Sequence, residues 1–182
     1  KVNSMDKIKI SIAKKTLKLL ENKDWNKILL SDILSTQNNK SIKNKRQLLI
    51  NINRYFDFIL KKNLSNLEES SSKDMLFEVL MARLDILNSH RKPIKKIIKY
   101  LLSNPNDFLA MLPSFIESMI LISTLSNINV EGIKGVSKVK AIFILYVLII
   151  YTWNKDETQT LEKTMTTLDN YLNNLDKFLK LI

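Results

Sequence analysis

The 182-residue chain has no cysteine, one histidine, two glycines and three prolines. Without cysteine there are no disulfides, thiolate nucleophiles or cysteine-type zinc sites, and a reducing, cytoplasmic setting is expected. Two glycines cannot furnish the phosphate-hugging loops of a Rossmann or P-loop protein. So few turn residues also cannot build the many tight turns of a β-sandwich or barrel. Long helices with few breaks remain. His90 sits in the cationic string His90-Arg91-Lys92-Pro93, and no second imidazole exists for a metal site or proton relay. The serines 70–72 have no base beside them, and Glu78, Asp85, Glu117 and Asp156 read as helix-surface charges. No catalysis, metal or cofactor is implied.

Long hydrophobic runs are also scarce. The longest, residues 141–153, falls short of the roughly 20 residues a spanning helix needs and reads as a core helix. Residues 1–18 are amphipathic and lysine-studded, so no secretory signal is expected. What is plentiful is apolar and charged residues: 45% hydrophobic and 26% charged, enough to bury a core and stay soluble.

The net charge of +11 is unevenly spread. Residues 1–62 hold 15 Lys+Arg against 5 Asp+Glu, a balance of +10, while residues 63–182 hold 14 against 13, a balance of +1. A concentrated positive field attracts polyanions, either nucleic acid or an anionic membrane surface. The charge step coincides with the polar stretch 66–72 and divides the chain into a basic head, 1–62, and a larger body, 63–182.

Periodicity predicts a first helix over 6–22 with Ile12, Ala13, Leu17 and Leu20 inward. A short second helix is predicted over 31–36, with Asp32 in its first turn. Residues 37–44 (QNNKSIKN) read as a polar loop. A third helix over 44–63 starts at Asn44 as N-cap. In the body, helices are predicted over 73–88, over 93–102 with Pro93 first, and from Phe108 to about residue 127, with Pro113 as a kink or restart. Gly132 and Gly135 mark a loop, and two long helices, 136–154 and 158–181, follow. The last carries Leu161, Met165, Leu168, Leu172, Leu175, Leu179 and Ile182, a heptad-like seam for its own body or for a second subunit. The end, residues 176–182 (DKFLKLI), has an amphipathic face suited to peripheral membrane contact.

The order of short motifs resembles the TetR family. Trp25, Leu30 and Ser31-Asp32-Ile33-Leu34 stand where the family has its bulky residue and second helix, and Asn44-Lys45-Arg46-Gln47-Leu48-Leu49 looks like its entry into the linker helix. The string Asp74-Met75-Leu76-Phe77-Glu78-Val79-Leu80-Met81-Ala82-Arg83-Leu84-Asp85 is similar to one in alphaproteobacterial TetR-like proteins. So are Trp153-Asn154-Lys155-Asp156 and Leu161-Glu162-Lys163-Thr164-Met165-Thr166-Thr167-Leu168-Asp169. These proteins are distant kin of TetR-fold lipid-binding proteins of ubiquinone biosynthesis.

The resemblance implies an all-α fold, with a small helix-turn-helix-like head on a larger helical bundle that dimerises through residues 136–154 and 158–181. It implies two readings. One is a regulator that binds DNA through Lys40, Lys43, Lys45 and Arg46 on phosphates and Asn38 and Asn39 on bases, and senses an apolar ligand among Phe77, Met81, Phe108, Met111, Phe115, Met119 and Trp153. The other is a lipid- or isoprenoid-binding accessory of ubiquinone biosynthesis that has lost specific DNA binding. The interval of 12 residues from Asp32 to Asn44 is shorter than the family's, which shortens the recognition segment and favours the second reading.

Overall fold

The computed structural model describes residues 5–34, 42–64 and 70–181, with 175–181 as backbone only. All regular structure among the described residues is helical. There are seven α-helices: α1 (Lys7–Asn22), α2 (Lys45–Asn63), α3 (Ser72–Asn88), α4 (Arg91–Ser103), α5 (Pro105–Leu125), α6 (Gly132–Lys155) and α7 (Glu162–Leu181). Single 3-10 turns cover Trp25–Lys27 and Leu30–Asp32. The fold is therefore all-α, an N-terminal helical segment followed by a larger C-terminal helical bundle.

Local chemistry explains most boundaries. The Asp6 carboxylate accepts from Ile8 N and caps α1. Asn44 Oδ1 accepts from Gln47 N at 2.9 Å, while Gln47 Oε1 accepts from Lys43 N at 2.6 Å, a reciprocal cap that starts α2. Pro105 is the first residue of α5, where its missing N–H costs nothing, so the helix starts three residues before the predicted Phe108. Pro113 lies inside α5 and does not end it; the residue is exposed, so water reaches the carbonyl it leaves without an amide partner. Asn127 takes φ +54° after α5, and Ile128 N donates back to Ser123 O at 2.9 Å, closing the helix end.

Three predicted boundaries are corrected. The helix predicted over 31–36 is, in its described part, one 3-10 turn: the Asp32 carboxylate accepts from Leu29 N and from Lys23 Nζ, which closes the chain tightly there. The glycines 132 and 135 lie in α6, not in a loop before it. Gly132 enters the helix at φ +66°, and a Cβ on Gly135 would stand 2.0 Å from the Val130 carbonyl group. Finally, α7 begins at Glu162 rather than at residue 158.

The chain packs into two compact units that are not consecutive in sequence. The first comprises Lys1–Ile59 and Ile86–Phe115, the second Leu60–Asp85 and Ile116–Ile182. Division by packing thus differs from division by charge at residue 62, because α4 and the first half of α5 join the N-terminal residues. By sequence, the first unit holds 18 Lys+Arg against 6 Asp+Glu, a balance of +12, and the second 11 against 12, a balance of −1. They are called here the basic and the neutral unit.

In the basic unit α1 packs on α4, and α4 on the Trp25–Lys27 turn. Ile12, Leu17, Leu20, Trp25, Leu48, Phe56, Ile94 and Leu101 are buried, each such side chain contributing about 1.5–3 kcal/mol. Lys96 Nζ donates to Leu20 O at 2.8 Å and Lys23 O at 3.0 Å, placing a cation on the carbonyls that end α1. Buried Asn53 ties α2 to α5 through Ser114 Oγ at 2.9 Å. In the neutral unit α6 packs on α7, with Val139, Ile142, Leu145, Ile149 and Trp153 meeting a core that includes Leu161, Leu168 and Leu172. These three leucines belong to the predicted heptad seam and bury against their own unit, whereas Met165 of the same seam is exposed.

By length and composition α5 could also cross a membrane, its best stretch having mean hydropathy 1.8 with 33% buried inside the protein. The longest uninterrupted apolar run lies in α6, but α5 averages higher because its serines interrupt the run at little cost in hydropathy.

Candidate functional site

The sequence nominates a cluster of cations around the start of α2. Of these, Asn38, Asn39 and Lys40 lie outside the described residues. Lys43 is exposed. Lys45 turns inward: its Nζ donates to Trp25 O at 2.7 Å and lies 5.4 Å from the Trp25 ring centroid. Burial lowers its pKa. Arg46 donates through Nε and Nη2 to Asp107 Oδ1, at 3.0 and 2.6 Å. Asp107 also accepts from the Tyr100 hydroxyl, and Tyr100 stands against Trp25 with ring centroids 5.8 Å apart. The Tyr100 hydroxyl and Arg46 together hold the Asp107 carboxyl below its usual range. Lys45 and Arg46, which look in sequence like phosphate contacts, make hydrogen bonds that fasten the start of α2 to the first 3-10 turn and to α5.

The apolar ligand candidates do not share one unit. Phe77, Met81, Met119 and Trp153 belong to the neutral unit, Phe108, Met111 and Phe115 to the basic one, because α5 passes from one unit to the other after Phe115. Met111, Met119 and Trp153 are fully buried. Phe77 and Met81 are half-buried, one turn apart on α3. Phe108 and Phe115 are half-buried with ring centroids 6.2 Å apart.

Two features escaped the sequence reading. Asp156, read as a surface charge, is only 1% exposed. Its Oδ1 accepts from Thr158 N at 3.0 Å and from Thr158 Oγ1, and its Oδ2 accepts from Thr164 N and Oγ1, each at 2.8 Å. Burial by itself raises its pKa, but these donors outweigh that effect and hold the pKa far below the usual carboxylate value. The role is structural: one carboxylate fastens the α6–α7 corner, where Leu161 is held at φ +54°. Glu78, Asp85 and Glu117 are exposed, as read.

The second feature is the lysine face of α4, a helix predicted over 93–102 that starts two residues earlier, at Arg91. Read partly as a cationic loop, the string from Arg91 is the first turn of an amphipathic helix with Lys92 and Lys99 exposed on one face and Ile94, Ile97 and Leu101 buried on the other. The i, i+3, i+7 spacing of Lys92, Lys95 and Lys99 is the signal that could have revealed it. His90 precedes this helix, half-buried with its ring 5.8 Å from Phe56, and burial lowers its pKa. Among the described residues no group of three or more His, Cys, Asp or Glu is placed to hold a metal.

Compared with known proteins, the chain matches no family model and no curated protein sequence.

Proposed function

We propose that the protein is a TetR-like helical homodimer that holds an apolar chain, a lipid or isoprenoid, as an accessory to ubiquinone biosynthesis, and that it does not read DNA sequence. The observation that carries this reading is the shape of the head. Among the described residues, positions 30–32 make a single 3-10 turn where a helix-turn-helix needs its second helix, and Lys45 and Arg46 donate to acceptors within the chain. A single 3-10 turn is a poor frame for aiming side chains into the major groove. The half-buried Phe77 and Met81 supply an adaptable apolar surface on α3.

The dimer in this reading forms through α6 and α7. Ile133, Val136, Ile144, Val147, Leu148 and Tyr151 are exposed and fall within about a third of the circumference of α6, opposite its buried face. An apolar stripe of this length on a helix surface favours a second apolar surface over water.

Organic extraction of the purified full chain, followed by mass spectrometry, tests the ligand. The expected result is one isoprenoid or acyl species at near-stoichiometric amount. An empty protein that specifically retards its own upstream DNA beyond random duplex overturns the reading. That outcome would favour a second one, a DNA-binding regulator of the TetR type, which has the +12 balance of the basic unit and the exposed Lys43 in its support.

A further inference from the structure

We infer that the corner between α4 and α5 is a docking wedge for an anionic lipid bilayer, an inference that rests on the lipid reading above. The corner presents two leucines to solvent on either side of the turn at 103–105: Leu102 is 78% exposed and Leu109 58%. A single exposed leucine is ordinary on any protein. Leu102 adjoins cations: Lys99 is three residues before it on the same helix face, and Lys92 lies two turns earlier on that face, while Leu109 stands one turn into α5 beyond the corner.

Acidic residues are few in this stretch of the chain. Between residues 86 and 115 there are five Lys+Arg and one acidic residue, Asp107. That carboxylate is already turned to Arg46 and Tyr100. Arg91 donates to Asn88 Oδ1 at 2.9 Å, and Lys96 sits on the carbonyls that end α1 with Asp24 3.9 Å away. Lys92 and Lys99 are left facing water in a unit of balance +12.

The corner is also rigid. Asn104 Nδ2 donates to Tyr100 O at 2.8 Å, Asp107 N and Phe108 N donate to Asn104 O, and Pro105 fixes the entry into α5. Leucines held on such a turn can enter the headgroup region with little loss of conformational freedom. The lysine stems can then keep their ammonium groups at phosphate level.

The apolar tips select between polyanions. A DNA duplex attracts lysines through its phosphates but gives two projecting leucines almost nothing to bury against. A bilayer satisfies both parts.

The test is cosedimentation of the full chain with large phosphatidylcholine vesicles, with and without phosphatidylglycerol, at low and high salt. The unaltered protein should partition onto the anionic vesicles and release with salt. Lys92→Glu with Lys99→Glu should lower the partition coefficient by at least roughly twentyfold. Leu102→Ser with Leu109→Ser should lower it by roughly tenfold and leave any duplex-DNA binding unchanged. Circular dichroism of each variant verifies the fold, since all four positions are exposed.

No binding to anionic vesicles overturns the inference. So does binding that ignores the leucine substitutions, and so does a preference for duplex DNA over vesicles. A chain that copurifies with lipid yet ignores vesicles removes the wedge and leaves the ligand reading standing. Leucine-dependent sedimentation by a lipid-free chain does the opposite.

Discussion

The basic unit carries 18 Lys+Arg against 6 Asp+Glu, and the neutral unit 11 against 12, although both are built from the same kind of helix. They differ again in their exposed apolar residues. The basic unit shows a few leucines beside lysines, whereas α6 of the neutral unit shows six exposed apolar residues between Ile133 and Tyr151 on one face, with the exposed Lys140 among them. Leucines beside lysines suit a charged, water-facing partner, and a longer, mostly apolar stripe suits another protein surface. The comparison teaches that one all-helical chain can separate two kinds of surface chemistry by deciding which helices share a core.

Substitutions in the neutral unit should break this comparison most strongly. Gly135→Ala drives a methyl into the Val130 backbone, and we expect a loss of about 3 kcal/mol in urea unfolding, with the damage confined to the neutral unit in hydrogen exchange. Ile144→Asp places a charge in the middle of the exposed α6 stripe. If that stripe is a subunit interface, sedimentation equilibrium should show the dimer dissociation constant rising on the order of a hundredfold with the monomer fold intact. An unchanged constant would remove α6 from the interface.

Asp156→Asn should cost about 2–3 kcal/mol at neutral pH, because it weakens a buried carboxylate that accepts four hydrogen bonds. The sign of its pH dependence follows from the lowered pKa. The stabilisation is fully present above the unfolded carboxylate pKa and is lost as pH falls through the folded value. Urea titrations should therefore show the gap between the variant and the original chain shrinking in acid.

The smallest effect belongs to the basic unit. Arg46 is about half exposed and its pair with Asp107 is solvated, so Arg46→Ala should cost no more than about 1 kcal/mol. Asp107 also has a lowered pKa, so this contribution likewise fades as pH falls through the folded value. A loss several times larger would mean that the Arg46–Asp107–Tyr100 cluster organises its unit as firmly as Asp156 organises its own.

Much of the fold was legible in the residues. Asp6 and Asn44 announced the starts of α1 and α2, and the inward faces of α1, α2 and α3 follow from apolar spacing, because caps and periodicity are local. The start of α7 was not legible: residues 158–161 look helical in isolation but are drawn into a corner by Asp156. The internal partners of the site residues were not legible. Lys45 and Arg46 look like free cations in a motif, yet their partners Trp25 and Asp107 lie 20 and 61 residues away. The lysines of α4 were passed over because they fall in the body of the chain, and only packing assigns that helix to the basic unit.

Composition and spacing alone determined that this chain forms helices and holds an excess of positive charge, since both follow from residue identities and from neighbours within a turn or two. Which lysines are occupied, which leucines stay in water and which helix adds its cations to the basic N-terminal residues were decided by the tertiary structure. Those outcomes depend on which distant helices share a core, and the energy of such contacts exists only once the chain has brought them together.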